Sequence, residues 1–519
     1  MCCYKMYFLL AFLVFIFFRM KVLMIFFQQD EYRNNWFLKL IFGKYKLVDK
    51  KLSLSILVVL ILSLLFKNEY ISYAVFLIAL LFGIYEHRVL KFAKKPLVIT
   101  QRVKRIFGVA FVLAILEALA LVKINSLVAF IILIQLAPFD LSMSNILLQP
   151  YEDKTQKGFL DEAKENLKKC NPIVIGITGS YGKTSTKHIL AHILSGNLPV
   201  LFTPGSVNTE MGVCRIAREK LQPQHKFFIV EMGAYFRGSI KKLCDFVNPK
   251  HGIITAVGQT HYEHFKTQET IAATKFELGE CVQKNNGQLI INTNQIEERF
   301  VPKDMNLIKV GDGNNIFISD IKQTNDGLSL KYHKDGNSYD VFAPIYGEHH
   351  AQNIALAITL ALQLGMDIDT VISMLKTLPQ INHRLEVKRQ PNDVIIVDDA
   401  YNSNIKGFKS GLDLLQKLDV KRRILITPGM VELGAKHDEQ HEEVGKYAGT
   451  RVDVAIVILP KRIPTFIKGF NETKKEGTQL ITMNSFSEAQ KWMQDNLKAG
   501  DIVLLENDLP DVYENQFRL

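Results

Sequence analysis

The sequence predicts an α/β protein built from a membrane-helical N-terminal region, a central α/β domain with a β-rich insertion, and a second α/β domain at the C-terminus. Three observations carry this. About the first 140 residues are apolar and basic. From Asn171 onward, β-branched runs alternate with helical patterns, as in VIGIT, FFIVEMG, HGIITAVG, VIIVDDA and ILITPGM, the grammar of predominantly parallel sheets. Residues 287 to 346 interrupt that grammar with short alternating stretches between Gly, Asn and Asp turns. A chain of 519 residues outgrows one hydrophobic core, so several domains are expected. Their boundaries are set at 1–150, 151–380 and 381–519.

In the N-terminal region, Tyr7 to Phe27 is apolar apart from Arg19 and Lys21. Leu52 to Phe66 and Tyr70 to Tyr85 read as one membrane hairpin, and Phe107 to Val122 with Ser126 to Pro138 as a second, Glu117 being the only acid inside it. These arms are shorter than the roughly 20 residues a spanning helix needs, so flanking residues must share the span or the arms are re-entrant. The connecting loops carry Arg33, Lys39, Lys44, Lys46, Lys50 and Lys51, and then Arg88, Lys91, Lys94, Lys95, Arg102, Lys104 and Arg105. By the positive-inside rule both loops are cytoplasmic, and everything after about residue 140 with them. The expected location is the bacterial inner membrane, with the remaining domains on its cytoplasmic side.

Charge distribution supports that reading. Residues 1–150 hold 18 Lys and Arg against 7 Asp and Glu, whereas the rest of the chain holds 45 of each, so the whole net charge of +11 sits at the N-terminus. A neutral body with a basic, apolar head points to membrane lipid and away from nucleic acid. Cys2, Cys3, Cys170, Cys214, Cys244 and Cys281 form no CxxC pair and no metal spacing with His, so neither a zinc site nor a disulfide framework is expected.

The strongest chemical signal is PIVIGITGSYGKTSTKHIL, residues 172–190: an apolar strand, a Gly-rich turn, then Lys183, Thr184 and a helix. Gly179 and Gly182 let backbone N–H groups converge on phosphate oxygens at a helix N-terminus, with Ser180 and Ser185 in the same loop. Lys183 can bridge the β- and γ-phosphates of ATP, and the Thr184 hydroxyl can ligate Mg2+. The general GxxxxGK[ST] pattern is only partly met, since Ile177 stands at its first glycine and Gly176 lies one residue earlier. The same motif argues against a cleavable signal peptide at Tyr7–Phe27, because export would strand the domain without ATP.

That loop resembles the GxTGxxGKTTT loop of the Mur ligases and their folylpolyglutamate synthetase relatives. Further segments follow in order: TPGSVNTEMGV, FFIVEMGA, ITAVGQTHYEHFKTQETIAATKFEL, GEHHAQNIALAITLALQLG, NHRLEV, VDDAYNSN and PGMVELGAKHDEQHEEVG. They are most similar to the branch of that family that adds D-alanyl-D-alanine. Departures are Ser206 and Thr209 where Asn is commoner, Cys214 for Pro, Ala400 for Ser or Thr, and Ile405 for Pro. The resemblance covers roughly residues 170–450. It implies a central ATP-binding domain of the P-loop type, a Rossmann-like C-terminal domain, and an ATP- and Mg2+-dependent ligase that joins a muramoyl-peptide carboxylate to the amine of D-alanyl-D-alanine, in the company of other cell-wall enzymes. Membrane helices stand where the family's uridine-binding domain normally lies. A relative extending a different, lipid-linked carboxylate and a membrane-bound ATP-driven scaffold are the alternative readings.

Residue roles follow with their plainer alternatives. Glu231 ends a strand, where a carboxylate can hold Mg2+ directly or through water. His261 and Lys275 read in isolation as a satisfied polar side chain and a solvated helical lysine; the resemblance makes His261 a metal or phosphate contact and Lys275 a carbamylated lysine, an anion that can bind Mg2+. Asn353 is expected at adenine, Arg384 at the transferring phosphate, and Asn208 at substrate. Asp398 and Asp399 can touch ribose, metal or the arriving amine, or cap the next helix; Tyr401 and Asn402 shape that loop. For Glu432 and His441, substrate contact and packing remain equal alternatives.

Overall fold

The computed structural model describes residues 2–29, 32–42, 48–49, 77, 81, 96–121, 126–258, 265, 267–401, 403–431, 433–508 and 517–518. The chain divides into two compact units, Met1–Lys157 with Leu509–Leu519, and Gly158–Asp508.

The described residues of the first unit are mainly helical, with α1 (Cys2–Gln29), α2 (Asn34–Phe42), α3 (Gln101–Leu121) and most of α4 (Ser126–Cys170), beside a short parallel pairing of Val48–Asp49 with Phe517–Arg518. Along α3 the buried residues are Val103, Ile106, Ala110, Ala114 and Ala118, a stripe at helical spacing whose small members allow a close neighbour. Phe17 of α1 meets Phe107 of α3 edge to face at 5.3 Å. Polar side chains tie the unit together: Arg102 Nη2 donates to Asn145 Oδ1 at 3.0 Å, and Arg105 Nε to Glu152 Oε1 at 2.7 Å.

One sequence expectation changes here. α4 continues through Pro138 and Pro150 instead of ending at Pro138, because Ala137 and Leu141 are both fully buried and tertiary packing offsets the lost backbone hydrogen bond. Among the described residues, no helix is long and apolar enough to cross a membrane. Apart from Leu77 and Leu81, the hairpin of Leu52–Phe66 and Tyr70–Tyr85 lies outside the described residues.

The second unit contains a six-stranded, all-parallel sheet formed by β1 (Ile173–Thr178), β2 (Val200–Phe202), β3 (Phe227–Glu231), β4 (His251–Ile254), β5 (Leu289–Asn292) and β6 (Ile308–Val310), in the order β2-β3-β1-β4-β5-β6. Side chains alternate between its faces. Ile175, Ile177, Ile229, Ile253 and Ile290 join one core with α5 (Lys183–Ser195), whereas Val174, Phe228, Val230, Ile254 and Ile291 join another. α6 (Glu210–Glu219), α7 (Ser239–Val247) and α8 (Gln268–Lys284) belong to that second core. Gly176 has a packing reason: a Cβ there would lie 2.7 Å from Leu278 Cδ1 of α8.

The expected β-rich insertion is shorter than 287–346. β5 and β6 extend the parallel sheet, and only β7 (Ile316–Gln323), β8 (Leu328–Lys334) and β9 (Asn337–Ala343) form a separate antiparallel sheet. The LIIN segment of β5 is buried throughout, as a strand covered on both faces must be. α9 (His350–Gln363) and α10 (Ile368–Lys376) then lead into the C-terminal sheet. That sheet comprises β10 (Glu386–Arg389), β11 (Ile395–Asp399), β12 (Arg422–Thr427), β13 (Val454–Ile458), β14 (Gln479–Met483) and β15 (Asp501–Glu506), ordered β10-β11-β15-β12-β13-β14. Only β10 runs antiparallel to its neighbour.

Candidate functional site

β1 lies between β3 and β4, and the Gly-rich loop leaves its carboxyl end, where open parallel sheets bind ligands. Gly182, at the N-cap of α5, has φ +82°, and a Cβ there would lie 2.6 Å from Asn353 Oδ1, so glycine is required twice over. Lys183 Nζ donates to Gly179 O at 2.8 Å. Desolvation lowers its pKa, with Arg384 and Lys187 pushing the same way against Glu231. Ser180 Oγ donates to Gly258 O at 3.0 Å and accepts from Gly258 N at 2.8 Å, which fastens the loop to the segment after β4. Ser185 is buried. Asn353 of α9 accepts from Thr186 Oγ1 at 3.2 Å and so stands beside the phosphate loop.

At the end of β3, Glu231 is 1% exposed and has three hydrogen-bond partners. Its Oε2 accepts from Thr184 Oγ1 at 3.0 Å and Lys187 Nζ at 2.9 Å, while Oε1 accepts from Asn208 Nδ2 at 3.1 Å. Burial alone would raise its pKa; the charges of Lys187 and Lys183 and the hydrogen bonds of Lys187 and Asn208 more than reverse this, so the carboxylate stays ionised.

Thr267 caps α8 by accepting from Thr270 N at 3.2 Å, and the helix carries Lys275 inward at 4% exposure. Lys183, Asn208, Gly233, Phe265, Ile271 and Lys275 line one small cavity. Desolvation, aided by Lys183, holds the Lys275 pKa well below that of an ordinary lysine. His261, Asn402 and Glu432 lie outside the described residues.

From the start of the C-terminal domain, Arg384 reaches the same electrostatic neighbourhood, lowering the pKa of Lys183 and of Lys187, and its guanidinium lies 4.6 Å from the ring centre of exposed Tyr401. Asp398 Oδ2 accepts from Lys388 Nζ at 2.8 Å and pairs with His383 Nδ1 at 3.0 Å. His383, Glu386 and Asp398 bring ligand atoms within 4.8 Å of one another, but Lys388 bridges both carboxylates. Neither aspartate caps the following helix, α11 (Ile405–Lys417); Asn404 does, accepting from Lys406 N and Gly407 N. His441 is fully buried, accepts from Met430 N at 2.9 Å, and desolvation pushes its pKa down to about 3.

Several residues escaped the sequence reading. Lys187 lies one helical turn beyond Lys183, a spacing that places both on one side of α5 and was legible. Lys406 Nζ reaches Tyr181 Oη at 3.2 Å and Gln295 Oε1 at 2.8 Å, a contact across distant sequence that no motif signals. Glu506 is paired in register with Asp399 on adjacent parallel strands. Burial raises Asp399 to about 7 against the pull of Arg384, and burial together with Asp399 raises Glu506 well above the usual carboxylate range. An acid protonated when folded and ionised when unfolded contributes stability that is complete below the unfolded pKa of roughly 4 and is lost as pH climbs through the folded value. Glu506→Gln, which mimics the protonated form, is therefore expected to melt above the wild type at pH 8 and level with it near pH 4. A melting difference independent of pH would contradict this.

The chain matches the Mur ligase middle domain over residues 177–361 and the Mur ligase, glutamate ligase domain over residues 383–506. It is similar to the UDP-N-acetylmuramoyl-tripeptide–D-alanyl-D-alanine ligase of Mycobacterium tuberculosis, 30% identical over 301 residues, covering 55% of this chain and 58% of that protein. The protein of the same name from Synechocystis is 34% identical over 279 residues, covering 52% and 58%. The chain thus spans 58% of the length of these curated relatives. Among solved structures, MurF from Acinetobacter baumannii aligns with TM-score 0.61 at 22% identity over 69% of this chain and 78% of its own. MurF from Thermotoga maritima, in complex with ADP, aligns with TM-score 0.60 at 24% identity over 70% and 82%; both likenesses speak to the fold. With the phosphate loop inside the first matched domain and Arg384 opening the second, the chain belongs to the Mur ligase family.

Proposed function

We propose that the protein is an ATP-dependent ligase that forms an amide bond through an acyl phosphate, adding D-alanyl-D-alanine to a muramoyl tripeptide during peptidoglycan precursor synthesis. The observation that carries this is the convergence of Lys183, the Thr184–Glu231 pair, Asn208 and Lys275 at the end of one parallel sheet. Relatives named for that reaction support the choice of substrates.

The residues fit ATP and Mg2+. A hydroxyl beside an ionised carboxylate is an oxygen donor set suited to a hard cation, and the Gly179–Gly182 turn opens backbone N–H groups to phosphates. Thr184 and Glu231 would hold the cation, which supplies charge neutralisation on the transferring phosphoryl group. Lys183 and Arg384 stabilise the same developing charge, most of what phosphoryl transfer asks of a protein. The acyl phosphate is then attacked by the amine and phosphate departs; closing the C-terminal domain over the site excludes competing water.

Lys275 supports the carbamate reading by its chemistry. A lysine kept neutral by burial has a free lone pair; it adds to CO2 and loses a proton, which converts a cation hostile to Mg2+ into an anion. A dependence test separates the ligase from an ATP-driven scaffold: phosphate release should require both the carboxylate and the amine. Amine-independent ATP turnover would contradict the ligase.

The carboxylate substrate is bound with weak dependence on its uridine part, since the matched family domains begin at residue 177 and the described residues before 158 are mainly helical. A large fall in kcat/KM when UDP is removed from the muramoyl tripeptide would overturn that. Attachment to the inner membrane, with the catalytic domains on its cytoplasmic side, draws support from the basic loops and from exposed Val112, Leu116 and Leu119 along α3. The protein is expected to sediment with membranes and to resist extraction by high salt, because burial of apolar surface is not screened. Release by salt alone would refute it.

A further inference from the structure

We propose that Lys187 is a positioning residue that fixes the Glu231 carboxylate for the divalent cation. This rests on the reading of Thr184 and Glu231 as the cation's holders. Lys187 is fully buried and bonds in two directions, to Glu231 Oε2 at 2.9 Å and to the carbonyl of Gly205. Gly205 belongs to the loop between β2 and α6 that also carries Asn208, and Asn208 grips the other carboxylate oxygen at 3.1 Å. One ammonium group therefore ties the helix of the phosphate loop, the end of β3 and the Asn208 loop together. A further contact to that loop comes from Thr203 Oγ1, which accepts from Glu231 N at 3.1 Å.

Counting lone pairs defines what the tie does. A carboxylate offers about four acceptor positions. Thr184 and Lys187 occupy two on Oε2, and Asn208 one on Oε1, which leaves one on Oε1 for a cation or its water. Without Lys187 the carboxylate keeps its two weaker partners and is free to turn. Removing the Lys187 charge by itself favours an incoming cation, and the loss expected here comes from orientation, since partners that orient a metal ligand are typically worth about 10- to 100-fold in metal affinity. Lys183 has a different station, on Gly179 O, and cannot take over.

The test uses the full-length protein, with Mn2+ as probe read by electron paramagnetic resonance in the presence of ADP, and with ADP affinity measured separately in EDTA. Lys187→Met is expected to weaken Mn2+ binding about 10- to 100-fold while metal-free ADP affinity holds. If burying an unpaired Glu231 prevents that variant from folding, Lys187→Gln keeps a hydrogen-bond donor in the pocket and should show a smaller loss of the same selectivity. Wild-type Mn2+ affinity in either folded variant overturns the proposal. So does an equal loss of metal-free ADP affinity, which would mean a purely structural lysine. If the wild type itself binds no Mn2+ with ADP, the cation site falls, and this inference with it.

Discussion

Lys183→Ala is expected to lower ATP-dependent turnover by about 10^2- to 10^3-fold or more, because it removes a preorganised cation from where phosphoryl charge develops. Lys183 is held at the mouth of the loop by Gly179 O and has Arg384 and Glu231 in its field. Its lowered pKa reflects desolvation without phosphates, and a polyanion arriving at the loop restores the charged form. Lys183→Arg should not rescue activity, since a planar fork does not replace a compact ammonium in a cradle of backbone groups. Near-normal phosphate release by either variant would show that the loop does not carry the chemistry.

Lys275→Ala should be comparably damaging, and the damage should be chemically reversible in part. Lys275 sits at 4% exposure in the cavity shared with Lys183 and Asn208, where a cationic amine would repel the metal it is meant to help hold. Alanine leaves a space bounded by Phe265 and Ile271 that a small carboxylic acid can enter, and its carboxylate supplies the anion that the carbamate would have supplied. Activity should rise with added acetate or formate in the variant and stay flat in the wild type. Full activity of the variant without added acid would reduce Lys275 to a packing residue.

What the sequence made legible follows from how local each signal is. The phosphate loop is written in a dozen consecutive residues, and the displaced glycine of its pattern has a physical cause in Gly176, which lets Leu278 approach the sheet. Glu231 and Asn208 stand on separate motifs, but their 3.1 Å contact requires the β2 and β3 register that aligns Phe202 with Ile229. Signals fail where partners are distant or where composition is ambiguous. The LIIN strand was grouped with the insertion because turn residues surround it, although its full burial assigns it to the parallel sheet. The partners of Asp398, Lys388 and His383, stand 10 and 15 residues away from it, and no motif signals the cluster they form. In the N-terminal unit the alanines at 110, 114 and 118 are buried, and hydropathy cannot tell small apolar residues between packed helices from those of a membrane segment.

The most direct measurement is product identity. Detergent-purified full-length protein incubated with ATP, Mg2+, muramoyl tripeptide and D-alanyl-D-alanine should release one phosphate per amide formed and yield a muramoyl pentapeptide by mass spectrometry, with no product when the amine is left out. ATP turnover that proceeds without the amine, or phosphate release without a new amide, would contradict the ligase.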